Sequence, residues 1–171
     1  NLSVVIGHDC RFAGNLFMKT AAKVLVSQGI KVYQADSIIT TPMISLAAKE
    51  LNTAIGIVLT ASHNPPSYNG FKLKGHYGGP LTSDKISEVE VLIPSKNNLD
   101  LGEVNLSEME ENGLLKHVDL ETMYIDKIKS SFDLNAIKNS GLHFAYDAMY
   151  GAGQFVMKKI FPDMSFLHCD Y

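Results

Sequence analysis

The sequence predicts an α/β fold: a mostly parallel sheet with flanking helices, followed by the start of a second, similar α/β unit. Three observations predict it. Short runs of small and β-branched residues, Leu2–Ile6, Lys31–Ala35 and Ala54–Leu59, alternate with amphipathic stretches, the order that gives parallel strands joined by crossover helices. A strand–helix–strand pattern returns after residue 120. The third run breaks abruptly into Thr60-Ala61-Ser62-His63-Asn64-Pro65-Pro66-Ser67-Tyr68-Asn69-Gly70-Phe71-Lys72, a loop dense in turn-forming residues. In open α/β sheets, ligands bind beyond the carboxyl ends of strands, so Ser62, His63 and Lys72 fall where chemistry sits.

Leu2 to Ile6 reads as a strand ending at Gly7. Asn15 to Gln28 reads as an amphipathic helix whose apolar residues are Leu16, Ala22, Val24, Leu25 and Val26, with Gly29 as its stop. Lys31 to Ala35 is the second strand. Pro42 suits the first turn of a helix running to about Leu51. Ala54 to Leu59 is the third strand, and its near-continuous apolar character fits burial on both faces. Asn69-Gly70 suits a tight turn with positive φ. Short strands near Phe71–Lys74 and Gly79–Leu81 follow, and Ser83 can cap a helix through about Leu92.

Composition then shifts. Pro94 to Gly113 is polar, acidic and rich in Asn, which reads as a linker or mobile surface segment extending to about residue 119. The first domain is thus expected over residues 1–115 and the incomplete second over 120–171. Leu120 to Phe132 reads as a helix with Met123, Tyr124, Ile128 and Phe132 on one side. Leu142–Tyr146 and Met164–Leu167 read as strands around a helix over Gln154–Phe161.

Bulk properties are those of an ordinary soluble globular chain. Of 171 residues, 46% are hydrophobic and 19% charged. The net charge of −3 offers no basic face for nucleic acid. No apolar run approaches the ~20 residues of a membrane span. Cys10 and Cys169 are too few for a disulfide framework, so a reducing cytoplasm is the expected compartment. The chain opens without an initiator Met, and its second unit has only some fifty residues. We therefore expect the remaining domains of a longer parent chain as its partners.

The Ser62 loop closely resembles the phosphoserine loop of the α-D-phosphohexomutases, the phosphoglucomutase/phosphomannomutase family. Four further stretches carry the resemblance in order: Gly7-His8-Asp9-Cys10-Arg11, Thr40-Thr41-Pro42-Met43, Tyr77-Gly78-Gly79-Pro80-Leu81 and Asp147-Ala148-Met149-Tyr150-Gly151-Ala152-Gly153. The resemblance implies that Ser62 carries a phosphoryl group onto and off a hexose phosphate, the expected substrate. A phosphoserine brings roughly two negative charges, and His63, Lys72, Arg11 and a metal are the groups that can compensate them. The resemblance makes Lys72 a general base or electrostatic stabiliser, and His63 can donate to a phosphate oxygen and take part in proton transfer. Asn64 is expected to shape the loop. Asp9 and Arg11 either pair to brace the loop, or Arg11 reaches the phosphoserine directly. His8 departs from the arginine usual in the family.

The same resemblance implies Mg²⁺ bound to Ser62 through its phosphate, and hexose 1,6-bisphosphate as activator. The family's metal loop, Asp-Gly-Asp-x-Asp-Arg, does not occur in this sequence, nor do its sugar-reading loop and phosphate-clamping last domain. The chain by itself is therefore expected to be inactive. Gly151-Ala152-Gly153 is no dinucleotide fingerprint, because the third glycine position falls at Val156. Two alternatives remain: a phosphoglucosamine mutase, and a non-catalytic phosphosugar-binding or interaction module.

Overall fold

A computed structural model of the chain describes residues 2–170. Seven strands and seven helices are defined among them. They run β1 (Ser3–His8), α1 (Gly14–Ser27), β2 (Lys31–Ala35), α2 (Thr41–Glu50), β3 (Ile55–Leu59), β4 (Phe71–Gly75), α3 (Ser83–Glu90), α4 (Leu106–Glu111), β5 (Leu115–Val118), α5 (Leu120–Ser131), α6 (Leu134–Lys138), β6 (Ala145–Asp147), α7 (Gln154–Ile160) and β7 (Ser165–Leu167). Five strands form one sheet in the order β4-β3-β1-β2-β5. β1, β2, β3 and β5 are mutually parallel, and β4 runs antiparallel to β3. β6 and β7 pair in parallel as a separate two-stranded sheet.

Alternate residues of a strand face opposite sides of a sheet, and the core divides accordingly. Val4, Ile6, Val32, Ile57 and Leu59 meet Met18, Ala22 and Val26 of α1 on one face. Val5, Ala35 and Val58 meet Met43, Ile44, Ala47 and Ala48 of α2 on the other. Leu120 and Ile125 of α5 and Val156 and Ile160 of α7 join this second cluster. The later elements therefore bury their apolar residues against the first sheet's helix.

The polar stretch expected as a linker proves to hold two elements. α4 opens at Asn105, whose side chain accepts from the Ser107 N–H. β5 then pairs with β2 as the sheet's edge, and Leu115 is buried in the α1-side core. Two apolar residues, Leu115 and Val118, at the ends of a four-residue edge strand are a weak signal, and backbone pairing to β2 supplies the rest. Leu16, expected on the buried side of α1, is exposed; the buried stripe is Gly14, Met18, Ala22 and Val26, at helical spacing. Phe132 is likewise exposed, because it ends α5 in extended backbone. The helix expected to be capped by Ser83 takes Thr82 as its N-cap, without a side-chain capping bond. The strand expected at Gly79–Leu81 reduces to a single bridge between Lys74 and Pro80.

Candidate active site

β1 is followed by a helix on one face of the sheet, while β3 leaves its neighbour for the edge strand β4. The turns after β1 and β3 thus diverge at the β1/β3 boundary, where such sheets form a crevice. Ser62, Asp9 and Arg11 lie on these two turns, and the cleft between them encloses about 330 Å³. Cys10 and Phe12 line it from the β1 side, and Met149, Tyr150 and Gly151 close it from the β6–α7 turn.

Ser62 is held at both ends of its own backbone. Its N–H donates to the Thr60 hydroxyl at 3.0 Å, and that hydroxyl donates to Asp9 Oδ2 at 2.5 Å. Asp9 Oδ1 accepts from the Arg11 N–H at 2.9 Å. The Arg11 guanidinium returns to the loop: Nη2 donates to the carbonyls of Ser62 (2.8 Å) and Asn64 (2.6 Å), and Nη1 to those of Pro65 (2.9 Å) and Tyr68 (2.8 Å). Nε lies 3.8 Å from Asp9 Oδ2. The five guanidinium donors in a planar fork suit this convergence of carbonyls. Through these bonds the guanidinium braces the loop.

Ser62 itself has φ of 54°, the left-handed region that costs a non-glycine residue about 1 kcal/mol or more. The bonded circuit through Thr60, Asp9 and Arg11 holds it there and leaves the side chain exposed. Thr60 is the member to which sequence reading gave no role. Its signal was present: a Thr ending a buried apolar strand, itself 4% exposed, must find hydroxyl partners.

His63 Nδ1 stands 3.4 Å from Ser62 Oγ, so these two expected partners are adjacent at the long end of hydrogen bonding. Asn64 accepts Arg11 through its carbonyl and donates its N–H to Ala61, a loop-shaping role. Lys72 lies on β4 opposite Val58, one step inside the terminal Leu59–Phe71 pair, and is exposed. Lys74, two residues on along the same strand, is half-buried. Burial first, and the neighbouring Lys72 charge second, hold its pKa below the usual lysine value.

Gly70 departs from expectation in an informative way. Asn69 and Gly70 have ordinary negative φ, since neither is among the positive-φ residues. Glycine is needed for proximity instead: a Cβ there would sit 2.6 Å from the Thr60 carbonyl oxygen. The Gly70 carbonyl accepts the Thr60 N–H, so the loop closes where it began.

On the opposite wall, Met149 and Tyr150 both take positive φ, and α7 opens at Gly153 with φ of 108°. Asp147 fixes this turn by accepting the Met149 N–H at 2.8 Å and pairing with His168 Nδ1 at 2.9 Å. Those bonds, the Met149 N–H foremost, hold its carboxyl below the usual carboxylate range. The Tyr150 ring lies 5.2 Å from that of His168. Burial and then the Asp9 charge push the Cys10 thiol up, which disfavours its thiolate.

The residues present do not complete a magnesium site. Mg²⁺ calls for octahedral oxygen ligands, and among the described residues no three His, Cys, Asp or Glu converge to hold a metal. Asp9, the carboxylate that lines the cleft, is committed to Thr60 and Arg11.

Fold and site together define a doubly wound α/β domain that presents a strained serine at its switch-point crevice. The profile of the phosphoglucomutase/phosphomannomutase α/β/α domain I matches residues 1–100, and the chain belongs to that family. It is similar to a phosphoglucomutase of Staphylococcus haemolyticus, 34% identical over 97% of this chain and 30% of that protein. It is also similar to a phosphoglucomutase/phosphomannomutase of Thermococcus kodakarensis, 32% identical over 94% of this chain and 34% of that one. A crystal structure from Thermus thermophilus, provisionally described as a phosphomannomutase, superposes with a TM-score of 0.82 at 30% identity, covering 96% of this chain and 36% of that one. The chain thus spans about a third of the length of these relatives.

Proposed function

We propose that this chain supplies the phosphoserine half-site of a phosphohexomutase that interconverts hexose 1-phosphates and 6-phosphates. The observation that carries the reading is Ser62, exposed at the crevice with positive φ and braced through its amide and its carbonyl. Phosphoryl transfer depends mainly on positioning and charge stabilisation, and a nucleophile fixed by its backbone meets the first need. The Ser62 Oγ–P bond breaks as a hexose hydroxyl oxygen bonds to phosphorus, and the hydroxyl proton passes to a base. In the reverse step the other phosphoryl of the bisphosphate returns to Ser62.

Lys72 and His63 are the candidates for the proton and charge work. Arg11 is assigned to bracing the loop, a role its four carbonyl partners support. Mg²⁺ and a hexose 1,6-bisphosphate activator belong to the same proposal, and the metal's other ligands would come from outside these residues. The chain by itself should be inactive, because sugar recognition and metal binding need groups it does not carry.

The test is an assay of the complete parent, wild type and Ser62→Ala, for converting glucose 1-phosphate to the 6-phosphate. It would contain Mg²⁺ and a trace of the 1,6-bisphosphate, with mannose and glucosamine phosphates in parallel. Turnover lost in the alanine variant supports the reading and ranks the sugars. A well-folded parent inert on all three points to the non-catalytic alternative.

A further inference from the structure

A second cleft, of about 360 Å³, opens beyond the carboxyl ends of β1 and β2 on the α1 side of the sheet. It shares no lining residue with the Ser62 cleft. The sheet register builds it. Ile6, Gln34 and His117 lie side by side on β1, β2 and β5, and His8 is two residues beyond Ile6. Alternation puts all four on the α1 face, where Asn15 and Lys19 of α1 cover the opening.

Gln34 is the unexpected member. Its position is 5% exposed, yet its side-chain Oε1 has no hydrogen-bond partner. Leaving such an acceptor unpaired costs about 1–3 kcal/mol, and a buried orphan facing a cleft calls for a donor from a ligand. The surrounding side chains are likewise unspent. Asn15, Lys19 and Ser37 line the cleft, and among the described residues none of their side chains has a protein partner. His8 donates Nδ1–H to the Asp9 carbonyl at 2.7 Å, which leaves its Nε2 unengaged.

The acid that lines the cleft is already matched. Asp36 Oδ1 lies 3.0 Å from His117 Nδ1, and the other ring nitrogen lies 3.2 Å from Glu110. Lys19 is therefore the unmatched charge. A ligand that satisfies this set carries an anionic group for Lys19 and Asn15, and hydroxyl donors for Gln34 Oε1 and Ser37.

We propose that the cleft formed by His8, Asn15, Lys19, Gln34 and Ser37 binds a small hydroxylated oxyanion, a phosphate ester or a hydroxycarboxylate. The site does not depend on the phosphoserine reading, since none of its residues lines the Ser62 cleft. Its size and its few convergent polar groups are those of a small-molecule pocket.

The test is an amide and side-chain NMR titration of the 171-residue chain with glycerol 3-phosphate, D-glycerate and inorganic phosphate. Lys19→Gln and Gln34→Leu are the variants. Lys19 is exposed, so its variant keeps the fold even if Gln34→Leu does not. The expected result is saturable shifts at Asn15, Lys19 and the Gln34 side-chain amide, with inorganic phosphate binding about tenfold more weakly than the ester. Lys19→Gln should weaken binding of the better hydroxylated probe about tenfold, and Gln34→Leu should erase its advantage over inorganic phosphate. Whichever of ester and carboxylate binds tighter names the acid group. No shift at about 50 mM probe, shifts confined to the Ser62–Gly70 loop, or shifts unchanged in Lys19→Gln would overturn the proposal.

Discussion

Arg11 Nη2 donates to the carbonyl of Ser62 at 2.8 Å, so this guanidinium holds the serine's backbone and not its hydroxyl. A guanidinium with four carbonyl partners has little left for a phosphate. Its substitution should therefore act through loop order. Arg11→Lys replaces a planar fork with a point charge that cannot reach the same carbonyls. We expect a stability loss of about 2–3 kcal/mol, the value of one or two charge-assisted bonds, measured by urea denaturation of this chain. Faster proteolysis between Ser62 and Tyr68 should accompany it. Unchanged stability and cleavage would show that the brace is dispensable.

Gly70→Ala should destabilise the same loop by a different route. The new Cβ would meet the Thr60 carbonyl oxygen at 2.6 Å, and backbone on both sides gives little room to yield. Overpacking of this kind costs about 1–3 kcal/mol. Thermal melting of this chain checks it. Hydrogen exchange at the Thr60 N–H, bonded to the Gly70 carbonyl, should rise in parallel.

Lys72 and Lys74 should prove electrostatically linked but functionally distinct. They lie on the same face of β4, and the Lys72 charge helps lower the Lys74 pKa. Lys72→Met should move Lys74 back toward its usual value, read by side-chain ¹⁵N NMR. In the complete parent the same change should reduce kcat by about 10²–10⁴-fold, the usual worth of acid–base help. Lys74→Met should leave kcat within about threefold, since acid–base losses of that class are far larger.

Asp119 caps α5, accepting from the Thr122 hydroxyl at 2.6 Å and the Thr122 N–H at 2.9 Å. These bonds, the hydroxyl first, hold its carboxyl below the usual aspartate value of 3.8. A depressed folded-state pKa gives stability that is present above the unfolded value and lost as pH falls through the folded one. Asp119→Ala should therefore cost about 1 kcal/mol at neutral pH. The gap between wild type and variant should close as pH drops below about 3.8. Paired denaturation curves at pH 7 and pH 3 test both halves.

The sequence by itself determined the order β1-α1-β2-α2-β3-β4, the parallel sheet and the place of the serine. Alternating apolar runs and turn residues are local signals, and the Ser62 loop is contiguous. Even there the chemistry of single positions escaped it. Asn69-Gly70 read as a positive-φ turn, whereas Gly70 answers to the Thr60 oxygen brought close by the β3–β4 pairing. β5 was hidden in a polar stretch because its partner, β2, lies some eighty residues earlier. Only the tertiary structure decided what Arg11 does, since four carbonyls more than fifty residues away converge on it. Only the strand register placed the buried Gln34 amide beside His117 and below Lys19. Local pattern fixes which segments become strands and helices; which polar groups meet at their ends depends on pairing across long separations, and that is settled when the sheet closes.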